Sequence, residues 1–183
     1  TLKRIPTLEP QGLRGGVVYY DGQFDDSRLA VNLAQTMAEH GGAPVNYMKA
    51  TGFTRSGEMI DGVLAKDMES GKDYEIHGRV VVNATGVFTD EVLKMENPEA
   101  KPIIAPSQGV HLILDNEFLP GDSAIMVAQT ADGRVLFAVP WHDKVVVGTT
   151  DTPVDDVSLE PQPTDEEIKF ILDHAAIYMS KDP

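Results

Sequence analysis

Apolar positions along this chain change their period several times, and each change marks an element. Leu29, Leu33 and Met37 recur every four residues and draw one stripe down a helix. Asp25 or Asp26 caps that helix by accepting free N–H groups and complementing its dipole. Gly41 and Gly42 end it with the backbone freedom a C′ position uses. The β-rich run Val17 to Tyr20 precedes the helix and "VNYMKATGF" follows Pro44. Strand, helix and strand so closely linked predict a right-handed parallel crossover. Next, Gly57, Gly62, Gly71 and Gly78 punctuate short β-like runs at hairpin spacing, which predicts an antiparallel meander. The most apolar run, Val80-Val81-Val82, has the composition of a parallel strand buried on both faces. Val87 to Met95 reads as a short helix stopped before Pro98.

Beyond Pro102 the pattern alternates with period two. "GVHLILD", "AIMVA", "RVLFAVPW" and "KVVVGTT" predict four sequential strands of an antiparallel sheet, with "ADG" and "WHDK" as hairpin turns. Thr164 and Glu167 form a capping box, and Ile168, Ile171, Leu172 and Ala175 line one face of a closing helix. The fold class is therefore mixed α/β and α+β: an α/β layer up to about Pro98, then an antiparallel sheet with a flanking helix.

Composition narrows the partners. The 183 residues are 42% hydrophobic and 24% charged, as in a globular protein. Lys+Arg 15 against Asp+Glu 29 gives a net charge of −14, which argues against a nucleic-acid backbone as partner. No apolar run approaches the ~20 residues that span a bilayer. "TLKRIPTLEPQG" lacks the apolar core of a secretory signal. Cysteine is absent, which rules out disulfides and thiolate metal sites and favours a reducing, cytoplasmic location. His40, His77, His142 and His174 stand apart from any metal-ligand spacing, so no metal site is expected.

Chemistry enters at "VVVNATGVF", Val80 to Phe88. A strand that delivers Asn83-Ala84-Thr85-Gly86 to a helix start brings backbone N–H groups close to any ligand over the strand's carboxyl end. Alone, that stretch is equally a strand ending in a glycine turn. Taken with "YYDGQFDDSRL", "PSQGVHLILD", "GRVLFAVPW" and "GTTDTP", in that order and spacing, it resembles the FAD-dependent glycerol-3-phosphate dehydrogenases of the D-amino-acid-oxidase-like flavoproteins. "NATG" is shared widely in that superfamily, whereas the last two stretches and "YYDGQFDDSRL" belong to the glycerol-phosphate branch. The resemblance covers nearly the whole chain. It implies a partial FAD-binding, Rossmann-like domain at residues 1–98 and a substrate-binding domain, incomplete at its C-terminus, at residues 99–183. The G-x-G-x-x-G turn that holds the FAD pyrophosphate in such enzymes is missing: "GLRGG" and "EHGGAP" have the wrong spacing. The expectation is a middle fragment, cut at both ends and inactive by itself.

Residue by residue, the resemblance implies that Val45 and the turn Ala84, Thr85 and Gly86 lie against the adenine end of FAD. Without it, Val45 reads as an ordinary core valine. Gln108-Gly109-Val110-His111 matches the stretch whose histidine faces flavin and substrate, while His111 also reads as a hydrogen-bonded sheet histidine. Arg134 matches an arginine near the substrate's polar end, where a guanidinium clamps phosphate. Its plainer reading is a surface arginine at a strand start. Thr149 matches a threonine lining the active site, and threonine is also simply a good strand former. Asp25 and Asp26 read as a cap rather than as catalytic groups.

The implied reaction oxidises sn-glycerol 3-phosphate to dihydroxyacetone phosphate, with hydride leaving C2 for the flavin and a base taking the hydroxyl proton. Among the candidates His111 alone is of the side-chain type that titrates near neutrality. Electrons would pass to a membrane quinone, or to oxygen in oxidase relatives, with peripheral contact at the inner face of the membrane. Two other readings stand beside this one: a related FAD-dependent amino-acid or 2-hydroxy-acid oxidase, and a non-catalytic interaction module using the acidic surface.

Overall fold

The computed structural model describes residues 1–128, 130 and 133–181. They fall into two compact units, one of residues 19–104 and one of residues 1–18 with 105–183.

In residues 19–104 the expected helix forms as α1 (Asp26–Glu39). Asp25 is its cap, its Oδ1 accepting from the Arg28 N–H at 2.9 Å, and Gly41 follows at φ +83°. The stripe is spaced as expected but is not buried: Leu29, Leu33 and Met37 remain 43%, 62% and 48% exposed. The meander also forms, as β1 (Met48–Ser56), β2 (Met59–Asp67) and β3 (Asp73–His77), antiparallel in that order. Gly57 turns the first hairpin at φ +62°, a left-handed conformation that costs glycine nothing. Gly62 serves differently. A Cβ there would meet Ile76 O at 2.6 Å and Thr54 Oγ1 at 2.5 Å, so the strands can close only around a bare backbone. A 3-10 turn, Gly86–Phe88, leads into α2 (Thr89–Glu96), which is tied to β1 by the Arg55–Glu96 ion pair at 2.6 Å.

Two expected strands do not form. Val17–Tyr20 and Val80–Val82 have no regular structure, and Val80 and Val82 are 76% and 77% exposed rather than buried. A strand exists only where another strand takes up its N–H and C=O groups, and the described residues offer these segments none. The parallel crossover goes with them: strand β1 starts at Met48, after Val45, and pairs antiparallel with β2.

In the other unit the alternating pattern gives β5 (His111–Asp115), β6 (Ile125–Val127), β7 (Leu136–Trp141) and β8 (Lys144–Gly148), preceded by a short β4 (Ser107–Gln108) that pairs with β9 (Thr152–Pro153). The sheet is antiparallel as expected, but its order is β5-β8-β7-β6 rather than sequential. The turn expected at "WHDK" joins β7 to β8, and Ala131 and Asp132 of "ADG" lie outside the described residues. One face carries Leu136, Ala138, Val145 and Val147 onto Ile171, Ala175 and Met179 of the segment that includes α3 (Asp165–Tyr178), with Leu119 completing the core. The capping box at Thr164 and Glu167 forms in full. Residues 1–18 join this unit through Leu8, bridged to Met179.

Gly62→Ala is expected to destabilise the meander by about 1–3 kcal/mol, because its methyl has no space between β1 and β3. A urea melt of the variant checks this, and an unchanged midpoint would show that the strands separate freely there.

Candidate functional site

The pairing of residues 107–115 with residues 144–153 is interrupted once. It runs from Asp115 opposite Lys144 to His111 opposite Gly148, stops, and resumes with Gln108 opposite Thr152. In the gap, Gly109 and Val110 face Thr149, Thr150 and Asp151, so one side has an extra residue. Such a bulge breaks the ladder locally and re-aims side chains. Two of the expected site residues sit on it.

His111 stands at its edge, exposed, with its ring over Gly148: a Cβ there would lie 2.7 Å from His111 Cδ2. Among the described residues no hydrogen bond or ion pair engages the imidazole. Thr149 is half-buried and donates its hydroxyl to Thr150 O at 3.0 Å. Gly109 lies directly beneath it, since a Cβ there would come within 2.8 Å of Thr149 Oγ1. Bare backbone at positions 109 and 148 is therefore what lets these two side chains settle onto the sheet. The row His111, Gly148, Phe137 and Met126 crosses all four strands on the face turned away from α3. Phe137 and Met126 are 39% and 44% exposed and give that face an apolar floor.

Beneath the bulge lies a group whose reach was not visible in the sequence. Glu167 is 3% exposed. Its Oε2 accepts from Thr164 N at 2.9 Å and from Gln108 Nε2 at 2.8 Å, and its Oε1 accepts from Thr150 Oγ1 at 3.2 Å. The Thr150 oxygen in turn accepts from Val110 N at 3.0 Å. Burial pushes this carboxyl's pKa up, but hydrogen bonds from the Thr164 backbone and from the Thr152, Gln108 and Thr150 side chains overcome that and hold it at about 2. The capping-box spacing announced Glu167 as a local helix residue only. "GTTDTP" did carry the complementary signal, hydroxyl-bearing residues in a row.

Arg134 lies elsewhere in the same unit. It precedes β7, and its guanidinium carbon stands 4.4 Å from the centroid of the Phe170 ring on α3. Its backbone is held to Thr130, with Arg134 N donating to Thr130 Oγ1 at 3.1 Å.

The expected FAD contacts belong to the other unit. Val45 is 67% exposed, so it is not a core valine. Ala84, Thr85 and Gly86 form an exposed turn. Asn83 organises it: Oδ1 accepts from Thr85 Oγ1 at 2.8 Å, while Nδ2 donates to Thr89 O at 3.1 Å. Gly86 adopts φ +58°, and a Cβ built there meets nothing within 4 Å.

Comparison with known proteins agrees across sequence and structure. The profile of the family described as FAD dependent oxidoreductase matches residues 1–182. The Caenorhabditis elegans protein named "Probable glycerol-3-phosphate dehydrogenase, mitochondrial" is 41% identical over 99% of this chain and 25% of its own length. The Mus musculus mitochondrial glycerol-3-phosphate dehydrogenase is 37% identical over 99% of this chain and 26% of its own length. The glycerol-3-phosphate dehydrogenase of Bacillus halodurans, solved with FAD, superposes with a TM-score of 0.92 and 31% identity over 97% of this chain and 36% of that one. The chain thus spans about a quarter of the length of the curated relatives it matches.

The Glu167 network has a measurable signature. A carboxyl held at about 2 in the folded state, against 4.5 when free, adds stability that is complete above the free value. That stability is lost as pH falls from 4.5 through about 2. Urea unfolding across that window is expected to show a smaller pH dependence in Glu167→Gln than in the native protein. Equal slopes would remove Glu167 as the source.

Proposed function

This chain belongs to the FAD-dependent oxidoreductase family, and from that premise we propose that it is part of a glycerol-3-phosphate dehydrogenase oxidising sn-glycerol 3-phosphate to dihydroxyacetone phosphate. The observation that carries the proposal is the shared activity in the names of relatives matched over 99% of this chain. Activity, substrate and acceptor are those of the longer protein.

The residues present fit part of FAD. The turn Ala84–Gly86 is exposed, free of large side chains, open above Gly86 and fixed by Asn83, which suits close approach of a nucleotide to backbone. In this reading Val45 and that turn contact the adenine end of FAD. Residues 105–183 carry the candidate substrate contacts. Bound FAD would supply the acceptor for the hydride that leaves C2.

The chain's own residues supply the remaining steps. His111, whose ring nitrogens have no partner among the described residues, takes the C2 hydroxyl proton. Thr149 commits its proton to Thr150 O, so its oxygen is left to accept from a substrate hydroxyl. Arg134, held over Phe170 on the α3 side of the sheet, lies across it from His111 and stays outside this set of contacts. Phe137 and Met126 offer the substrate an apolar surface in the same row as His111. A membrane quinone is the proposed final acceptor, reached by peripheral contact from the cytoplasmic side. Among the described residues no helix is long and apolar enough to cross a membrane.

The test is anaerobic titration of a flavin-loaded enzyme of the relatives' full length that carries this sequence. Glycerol 3-phosphate is expected to bleach the oxidised flavin. Bleaching by amino acids or 2-hydroxy acids instead, or by none of these, would overturn the proposal. In the same enzyme Arg134→Ala is expected to leave KM for glycerol 3-phosphate within about twofold, because its guanidinium lies over Phe170 on the other side of the sheet from His111. A rise of about tenfold, the size expected on losing a charge-assisted phosphate contact, would return Arg134 to the site.

A further inference from the structure

We propose that Glu167 is the positioning residue of this site: acting through Thr150 and Gln108, it fixes where His111 and Thr149 stand relative to each other. The inference rests on the functional reading above and extends it to a residue that touches neither substrate nor flavin.

The argument begins with what a capping box requires. One carboxylate oxygen must accept the N-cap N–H, and an exposed glutamate does that well. Glu167 does more, at a cost an ordinary cap never incurs, since its carboxylate is almost wholly removed from water. The burial is compensated by donors from outside the helix: Gln108 Nε2 at 2.8 Å and Thr150 Oγ1 at 3.2 Å. Gln108 borders the bulge on one strand, and Thr150 lies within it on the other.

The bulge needs that support. Backbone pairing ends at His111 with Gly148 and resumes only at Gln108 with Thr152. Between them, the Val110 N–H is held by the Thr150 hydroxyl at 3.0 Å rather than by a strand carbonyl. Thr150 therefore accepts from Val110 and donates to Glu167. The carboxylate sets the orientation of the hydroxyl, the hydroxyl sets Val110, and His111 follows one residue on. On the opposite side, Thr149 is the residue next to Thr150 and closes the gap over Gly109. The carboxylate accepts from all three partners at once. A glutamine would keep one oxygen for Thr164 N and Gln108 but turn its N–H toward Thr150, whose hydroxyl would then have to accept and point its proton elsewhere.

Four variants of the full-length flavoenzyme test this. Thr150→Val keeps the shape and removes the hydroxyl, Thr150→Ser restores it, and Glu167→Gln removes the charge. Thr164→Ala weakens the helix cap without touching Thr150 or Gln108. At native flavin content, Thr150→Val and Glu167→Gln are expected to lower kcat/KM for glycerol 3-phosphate by roughly tenfold to a hundredfold, the usual effect of misplacing reacting groups by about an ångström. Thr150→Ser should recover most of it. Thr164→Ala should melt earlier yet keep its kcat and KM. A crystal structure of Thr150→Val should show Val110 and His111 displaced from their native positions. Native kinetics in Thr150→Val and Glu167→Gln, or equal losses in Thr164→Ala, would overturn the proposal. If the native enzyme ignores glycerol 3-phosphate, the functional reading fails by itself. The crystallographic arm then still decides: an unmoved His111 in Thr150→Val refutes positioning, and a displaced one supports it.

Discussion

A four-stranded antiparallel sheet backed by one helix can bury only one face, and that constraint governs the second half of this molecule. Because successive side chains alternate, committing Leu136, Ala138, Val145 and Val147 to the core commits Phe137 and Val146 to the opposite side. His111 lies in the same outward row, opposite Gly148. Its exposure is thus the arithmetic of a pleat whose other face packs against Ile171 and Ala175. A one-residue slip of β8 would exchange the two faces together.

The parts of the fold that were legible in the sequence are those whose partners lie nearby. Helix α1 carries its own cap, the meander carries its own turns, and β7 and β8 are joined by a short hairpin. The strands expected at Val17–Tyr20 and Val80–Val82 were misread because β-rich composition states a capacity to pair and does not supply the partner. The sheet order was misread for a related reason: nothing in β5 indicates that it will pair with β8 rather than with the next strand. Within the candidate site, His111 and Thr149 were named from motif resemblance, and both fall at the bulge. Glu167 was visible only as half of a capping box. Its other partners include Thr150, 17 residues away, and Gln108, 59 residues away, distances that no local pattern records.

The two units differ in how they are held. Residues 1–18 and 105–183 surround a continuous apolar core. In residues 19–104 Ala65 is the only apolar side chain among the described residues that reaches full burial, while Tyr20, Val80 and Val82 are largely exposed. Ladder hydrogen bonds, a helix cap and exposed ion pairs organise that unit. Exposed pairs contribute little, so its stability depends mainly on the meander, and apolar area of that extent is a surface prone to association.

The extra residue opposite Gly109 and Val110 also bears on how this sheet tolerates change. Shortening Thr149-Thr150-Asp151 by one would let the ladder run unbroken from Ser107 to Asp115, with the Val110 amide meeting a strand carbonyl. By every local criterion of β-structure the shortened chain is the better one. It would also deprive the buried carboxylate of a donor and turn the neighbouring threonine toward the opposite side of the pleat. Ladder continuity and the buried carboxylate's hydrogen bonding therefore pull in opposite directions at this one position, and a redesign guided by continuity alone would remove the irregularity on which His111 and Thr149 sit.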